Sequence, residues 1–387
     1  MQSTERPARI AANAHHGADL SHTGPDTPAG RYYRRFWVPV AELESIKPGR
    51  GKSVLVMGER VTVYRGESGM PHVVANLCAH RGTRLSTGWI EGDCIRCLYH
   101  GWLYDEQGQC IEQPGETAGF ADKIRVRSYP TQSWVGLIFA YLGEDEPPPL
   151  PQPGEWQKAS LVENRNYLRQ SNYLNSRENG SDWLHVRFTH RRSAFTDAGF
   201  NREIPEYDAV ETDYGIRGYT RFSDGKYNVH HVLLPFMSYN IIFDDVAGWV
   251  KQLGWRIPID DENTQNYTVR LIEKSGADLD RYLEDRQRYR EAAKDLEPAQ
   301  FYVDACLNGE MHVDEVPLHH PQLVNIQDAV VLNAQPALND RDDRLGRSDI
   351  EVILLRKLLA REIQANELNQ PVKSWQWTEE QVVETGI

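Results

Sequence analysis

Between Arg31 and Leu150 short apolar runs alternate with turn residues. The runs are Phe36-Trp37-Val38-Pro39-Val40, Ser53-Val54-Leu55-Val56-Met57, Val61-Thr62-Val63-Tyr64-Arg65, His72-Val73-Val74-Ala75 and Val135-Gly136-Leu137-Ile138-Phe139-Ala140-Tyr141-Leu142. Runs of this length, rich in β-branched and aromatic residues, predict strands. Gly66-Glu67-Ser68-Gly69 and Asp105-Glu106-Gln107-Gly108 predict hairpin turns. This part reads as all-β. Glu146-Pro147-Pro148-Pro149-Leu150-Pro151-Gln152-Pro153-Gly154 is proline-rich, and a domain boundary is placed there.

From Leu161 the pattern changes. A first strand-like segment leads into a stretch with helical character near Asp182. Further strands are predicted at Gly218–Phe222, Val229–Leu234, Tyr239–Phe243, Trp249–Trp255 and Tyr267–Ile272. Arg281–Leu296 predicts a charged helix. Ile350–Asn366 predicts an amphipathic one, with Ile350, Ile353, Leu354, Leu358 and Ile363 on its apolar side. The expected class is α+β, with an antiparallel sheet and helices gathered against it. The division is 1–30, a mobile arm rich in Ala, His, Gly, Pro and Thr; 31–150, the β domain; and 151–387, the second domain.

Composition narrows the classes. The 387 residues are 40% hydrophobic and 26% charged, enough for two or three cores. A net charge of -13 argues against nucleic acid and anionic membranes as partners. No apolar run approaches the roughly eighteen residues of a membrane span. The N-terminus lacks the apolar core of a secretory signal. Five cysteines do not make a disulfide framework. The expectation is a soluble cytoplasmic protein whose paired Cys and His bind metal.

Two constellations carry chemistry. The first is Cys78-x-His80 followed by Cys97-x-x-His100. Each segment offers one thiolate and one imidazole. Zinc fingers usually segregate Cys pairs from His pairs. The mixed distribution favours a [2Fe–2S] cluster with two thiolates on one iron and two imidazoles on the other. A structural zinc site is the alternative. Gly82 and Gly101, just after each histidine, would let the backbone turn tightly. Cys94, Cys110 and Cys306 are read as buried thiols. The second constellation is Asp182-x-x-His185-x4-His190. On a continuous helix Asp182 and His185 would share a face. His190 falls off that face, so the helix is expected to bend or end near Phe188–Thr189. Two imidazoles plus a carboxylate from elsewhere would form the facial triad of non-haem Fe(II) oxygenases.

On these boxes, their order and their separation, the stretch from about Arg31 to Asn366 resembles the terminal oxygenase α subunits of Rieske non-haem iron oxygenases. These are ring-hydroxylating and demethylating enzymes. The resemblance implies an all-β Rieske [2Fe-2S] domain. After it comes a catalytic domain with an antiparallel β-sheet flanked by helices, helix-grip-like and START-related. It implies Cys78, His80, Cys97 and His100 as cluster ligands. His185, His190 and Asp328 would hold mononuclear Fe(II), with Asp304, Glu310, Asp314 and Glu315 as the other carboxylates considered. Many relatives carry an acidic residue where Gln327 stands. Asp182 would bridge His100 of one subunit to His185 of the next and carry the electron, with Asn179 close to the iron. Ser348 or Asp349 would cap the closing helix.

The resemblance further implies O2 as co-substrate and NAD(P)H electrons through a separate reductase, with or without a ferredoxin. No flavin or nicotinamide fingerprint G-x-G-x-x-G follows a strand in this sequence. A small aromatic or largely apolar substrate is expected, in a pocket drawn from Tyr214–Trp255 and Phe301–Pro321. It would be hydroxylated or oxidatively demethylated. A homotrimer is expected, with a cluster of one subunit meeting the iron of its neighbour. The alternative is a Rieske-type electron carrier without oxygenase activity, which needs no second histidine pair.

Overall fold

The alternation of apolar and polar positions resolves into four antiparallel sheets in the computed structural model, which describes residues 18–117, 119–152, 156, 161–193 and 203–377. A short helix, α1 (Pro28–Tyr33), precedes β1 (Trp37–Glu42). Next come β2 (Arg50–Val56), β3 (Glu59–Arg65) and β4 (Pro71–Ala75). Four very short strands follow: β5 (Trp89–Glu91), β6 (Cys94–Arg96), β7 (Leu103–Tyr104) and β8 (Cys110–Glu112). The first half closes with β9 (Ser128–Tyr129), β10 (Thr131–Trp134) and β11 (Leu137–Tyr141). The sheets are β1-β11-β10, β2-β3-β4-β9 and β5-β6-β7-β8. Both expected hairpin turns are present, between β3 and β4 and between β7 and β8.

The second half is a seven-stranded antiparallel sheet in the order β12-β18-β17-β16-β15-β14-β13. Its strands are β12 (Leu161–Arg169), β13 (Glu206–Glu211), β14 (Gly215–Arg221), β15 (Tyr227–Leu233), β16 (Met237–Asp244), β17 (Gly248–Pro258) and β18 (Thr264–Ile272). Strands β13 to β18 form a meander, and β12 joins its far edge through β18. Two short helices, α2 (Tyr173–Asn179) and α3 (Leu184–Thr189), lie between β12 and β13. After the sheet come α4 (Gly276–Ala292), α5 (Ala299–Leu307), α6 (Leu323–Asn333) and α7 (Ile350–Glu367). The class is α+β. Among the described residues no helix is long and apolar enough to cross a membrane.

The expectation of a mobile arm through residue 30 needs correction. Residues 1–17 lie outside the described residues, but Ala18 onward packs. Leu20, Ala29, Tyr32 and Tyr33 are buried. Tyr173 of α2 donates its hydroxyl to the Leu20 carbonyl at 3.0 Å, and Asn172 Nδ2 donates to Ser21 O at 2.9 Å. Burial of Leu20, Tyr32 and Tyr33, about 1.5–3 kcal/mol each, holds a segment of turn-forming composition against α2. The part of the proline-rich segment that is described is also anchored. Trp37 Nε1 donates to Pro148 O at 2.6 Å.

The histidine stretch is not one helix. Asn172 caps α2 by accepting from Leu174 N at 3.0 Å. Gly180 ends that helix, and α3 starts four residues later. Asp182 sits in the turn between them. Two ties fix α2 in place. The fully buried Arg177 donates to the carbonyls of Leu233, Pro235 and Met237 at 2.8–3.3 Å; burial pushes its guanidinium down to about 9. The neighbouring Glu178 accepts from Arg356 on α7 at 2.5 and 2.8 Å and from Arg341 at 2.7 Å. The helix α2 is thus tied both to the β15–β16 connection and to α7.

Candidate metal centres

The first constellation forms two matching loops. Cys78 N donates to Thr83 O at 2.8 Å, and Gly82 N returns to Cys78 O at 3.0 Å. Cys97 N donates to Trp102 O at 2.8 Å, and Gly101 N returns to Cys97 O at 3.0 Å. Each closing glycine has φ +73, the left-handed region that disfavours a side chain. The outcome is two five-residue loops that point their side chains at each other. Cys78 and Cys97 are buried, while His80 and His100 are half-buried. The imidazole rings lie 4.4 Å apart, centre to centre.

Apolar neighbours hold the loops. Trp102 stacks on His80 at 4.5 Å with 13° between planes. The Tyr104 hydroxyl lies 3.2 Å from Cys78 Sγ and accepts from Ala79 N at 3.2 Å. Burial pushes the Cys78 thiol up. Desolvation, then His80 and Arg81, pushes the His100 imidazole below its ordinary value. His80 Nδ1 is buried with no hydrogen-bond partner. A buried ring nitrogen without a partner is costly unless something takes its lone pair. Two buried sulfurs and two imidazoles, one with an orphaned nitrogen, fit a two-iron cluster. Of the three thiols expected to be buried, Cys110 is, in the same apolar cluster; Cys94 and Cys306 are instead partly exposed.

The second constellation gathers from three elements. His185 lies on α3, which ends at Thr189 as its spacing predicts; His190 is the residue just past the helix. Asp328 lies on α6, which packs against α5 through a core of Tyr302, Val303, Leu323 and Ile326. Asp328 Oδ1 is 3.1 Å from His190 Nε2 and 3.7 Å from His185 Nε2. One donor atom from each of the three residues falls within 4.8 Å of the others, and among the described residues no other group of three such side chains does so. Asp304, Glu310, Asp314 and Glu315 are not part of it. Asp314 pairs with Arg191, and Glu315 accepts from His312 N at 2.5 Å.

The histidine tautomers are set by their other nitrogens. Gln327 Oε1 lies 2.8 Å from His190 Nδ1, so that nitrogen donates and Nε2 is the one turned to Asp328. His185 Nδ1 donates to the backbone carbonyl of Asp182, which turns its Nε2 to Asp328 as well. Burial disfavours a charged His185 and holds its pKa below the ordinary value. Burial also opposes charging His190, but Asp328 and Gln327 outweigh it and raise its pKa. Burial would raise the Asp328 carboxyl; His190, Arg169 and His185 together hold it well below the usual carboxylate range. Asp328 Oδ1 makes no hydrogen bond although two imidazole nitrogens face it. That arrangement fits a cation between the three groups.

Asp182 caps α3. Its Oδ1 accepts from Leu184 N at 2.9 Å and His185 N at 3.2 Å, and its Oδ2 is 4.0 Å from His185 Nδ1. The side chain is 33% exposed, so within one chain the carboxylate still faces outward. Asn179 ends α2, half-buried, and its carbonyl accepts from Asp182 N at 3.4 Å. Asp349 stands at the N-terminus of α7, but its carboxylate accepts from Gly346 N at 2.7 Å instead of from the helix.

Three residues at or near this site carried no sequence signal of their role. Gln327 was visible only as a departure from an acidic position, not as the partner of His190. Glu178 was part of the motif, but its ion pairs with Arg341 and Arg356 depend on the fold. Arg169, at the end of β12, was not singled out at all; its guanidinium lies 3.6 Å from Asp328. One cavity draws on the Tyr214–Trp255 part of the expected pocket and on none of Phe301–Pro321. It has a volume of about 320 Å³, is lined by Trp37, Tyr141, Leu233, Trp255, Trp375 and Trp377, and includes none of His185, His190 and Asp328.

Comparison with known proteins bears on both constellations. Residues 36–130 match the model of the Rieske [2Fe-2S] domain. The chain is 30% identical over 260 residues to the 5,5'-dehydrodivanillate O-demethylase oxygenase subunit of Sphingobium sp. (strain NBRC 103272 / SYK-6), covering 63% of this chain and 59% of that one. It is 31% identical over 287 residues to the phenoxybenzoate dioxygenase subunit alpha of Ectopseudomonas oleovorans, covering 68% of this chain and 69% of that one. The matches thus span 59% and 69% of these curated relatives. The fold is similar to the terminal oxygenase of carbazole 1,9a-dioxygenase from Nocardioides aromaticivorans IC177. There the TM-score is 0.67 at 20% sequence identity, over 89% of this chain and 99% of that chain.

Proposed function

The chain belongs to the Rieske non-haem iron oxygenases, among their terminal oxygenase subunits, and from that membership we propose that it inserts oxygen from O2 into a small aromatic or otherwise largely apolar molecule. The outcome is hydroxylation or oxidative demethylation. Electrons come from NAD(P)H through a separate reductase, with or without a ferredoxin; the names of the relatives, an oxygenase subunit and a subunit alpha, support a multicomponent system. The observation that carries the reading is the convergent His185–His190–Asp328 group in a chain that also carries a Rieske domain.

In this proposal residues 31–150 form the cluster domain and 151–387 the catalytic domain. Cys78, His80, Cys97 and His100 would hold the [2Fe–2S] cluster, and His185, His190 and Asp328 the mononuclear Fe(II). When bound, the cluster supplies single electrons and the Fe(II) activates oxygen. The chain's own residues do the rest. Gln327 and the Asp182 carbonyl hold both imidazoles with Nε2 toward Asp328. Burial of His190 and Asp328 limits access of water. Asn179 shapes the turn that presents Asp182. Asp182, which caps α3 through Oδ1 and keeps a partly exposed side chain, is suited to meet His100 of a neighbouring subunit, and a closed head-to-tail ring of three provides that neighbour.

The reading is tested by oxygen uptake and product mass spectrometry with labelled O2, over a panel of aromatic acids, ethers and heterocycles. The relatives' names, an O-demethylase of 5,5'-dehydrodivanillate and a dioxygenase of phenoxybenzoate, set where the panel starts. Label is expected in one product. Reduction of O2 without labelled product from any substrate would return the chain to an electron carrier.

Asp182→Asn tests the bridge. The amide is nearly isosteric and its oxygen can still accept from Leu184 N and His185 N. Both metals and the trimer should therefore survive. The anionic partner of two imidazoles is lost, so turnover should fall about 10- to 100-fold. Single-turnover kinetics with pre-reduced protein give the answer. If the variant oxidises its cluster as fast as wild type, with substrate and oxygen present, Asp182 is not the bridge. An active monomer in sedimentation would remove the inter-subunit scheme altogether.

A further inference from the structure

Arg169 is the last residue of β12, paired in register with Thr264 of β18. Its side chain is 2% exposed, and its guanidinium lies 5.2 Å above the Tyr167 ring. Nε and Nη2 are buried and make no hydrogen bond. Nη2 is 3.6 Å from Asp328 Oδ2, an ion pair and not a hydrogen bond. A guanidinium taken out of water with donors unused is costly unless an opposite charge stands beside it. Asp328 provides that charge. The two oxygens of this one carboxylate therefore face different ways: Oδ1 looks at the Nε2 atoms of His185 and His190, and Oδ2 looks at Arg169.

We propose that Arg169 is a positioning residue that occupies Oδ2 of Asp328 and leaves the carboxylate a single oxygen, Oδ1, for the metal. The inference rests on the assignment of His185, His190 and Asp328 as the iron ligands. Its consequence is a count of positions. A carboxylate that ligates through both oxygens takes one more coordination position than one that ligates through Oδ1 alone. A triad does its chemistry through the positions it leaves open. Arg169 keeps that extra position open by giving Oδ2 something else to face. It also draws electron density from the carboxylate, as partners of metal ligands do. No substrate contact is needed for either effect.

The test uses the full chain with cluster and ferrous iron loaded, as wild type, Arg169→Met and Arg169→Lys. Met fills similar space without charge. Lys returns a positive charge, although not the planar fork. The main readout is the EPR signal of nitric oxide bound to the ferrous site, recorded with the cluster oxidised and EPR-silent. Ferrous iron content, melting temperature, kcat and KM accompany it. Arg169→Met is expected to keep its iron and change the symmetry of the nitric oxide signal. Its kcat should fall about 10- to 100-fold with little change in KM. Arg169→Lys is expected to bring the wild-type signal back. An Arg169→Met signal and kcat equal to wild type would overturn the proposal. So would loss of iron and of melting temperature in both variants alike, which would make Arg169 a structural charge only. A wild-type protein that binds no ferrous iron and gives no nitric oxide signal would instead sink the iron assignment on which the proposal stands.

Discussion

Asp328→Ala is expected to release the mononuclear iron and bring turnover below detection, while the cluster keeps its visible absorption. Asp328 is the one anionic member of the group, and both imidazole Nε2 atoms face its Oδ1 at 3.1 and 3.7 Å. Two neutral imidazoles alone hold Fe(II) poorly. Affinity should fall by more than the roughly 10- to 100-fold that follows loss of an outer partner. The cluster loops belong to a separate apolar core of Tyr64, Leu85, Ile95, Trp102 and Tyr104, so they should not respond. A complication is that alanine leaves Arg169 buried without its counter-charge, at a cost of about 3–5 kcal/mol. The double variant Asp328→Ala with Arg169→Met removes both charges. It should recover much of that stability and none of the iron. Iron analysis, visible absorption and thermal melting separate these outcomes. An Asp328→Ala protein with wild-type iron and activity would move the ligand role to another carboxylate, such as Asp304 or Glu310.

What the sequence showed, and what it hid, follows from how local each signal is. The strands β1 to β4, β11 and β14 to β18 could be read directly, because each carries a short run rich in apolar, β-branched and aromatic residues. Strands β5 to β8 could not. They are two or three residues long, and what orders them is the pair of closed loops around Cys78 and Cys97 and the core beneath. Strand β13, Glu206-Tyr207-Asp208-Ala209-Val210-Glu211, is a polar edge strand covered on one side by α7, and its pattern has no strong period. The break between α2 and α3 was missed because a helix cap and a helix interior can use the same residues; Asp182 accepting from Leu184 N decides it.

The site was legible in a similar way. His185 and His190 are five apart and announce each other. Asp328 is far along the chain, and only a resemblance could bring it to them; the helix that presents it, α6, was not predicted. Gln327 and Arg169 act through contacts between α3, α6 and the end of β12. Nothing local to either residue marks them. The N-terminal segment shows the converse error. Its Gly, Pro and His content reads as mobile, yet Leu20 and Tyr33 find partners on α2 that composition does not reveal.

Cys97→Ser is expected to bleach the protein and abolish steady-state turnover while the mononuclear iron stays. Cys97 is 2% exposed, and its backbone closes the second loop at both ends, through Trp102 O and Gly101 N. Those bonds use main-chain atoms, so serine keeps the loop. The change is confined to the donor atom. Oxygen is a harder and shorter-bonding ligand than thiolate sulfur, and soft thiolate is what iron–sulfur units select. Iron content should drop from about three atoms per chain to about one. The visible absorption and the EPR signal of the reduced cluster should vanish together. Cys110→Ser is the control. Cys110 is as buried as Cys97 and lies in the same apolar cluster, but its Sγ is 3.5 Å from the Glu112 carbonyl and lies outside both loops. A polar atom placed there should cost stability and leave the colour. If Cys97→Ser keeps its full absorption and signal, Cys97 is not a ligand. If both serines bleach the protein equally, the loss reports a disturbed core and the cluster assignment needs other evidence.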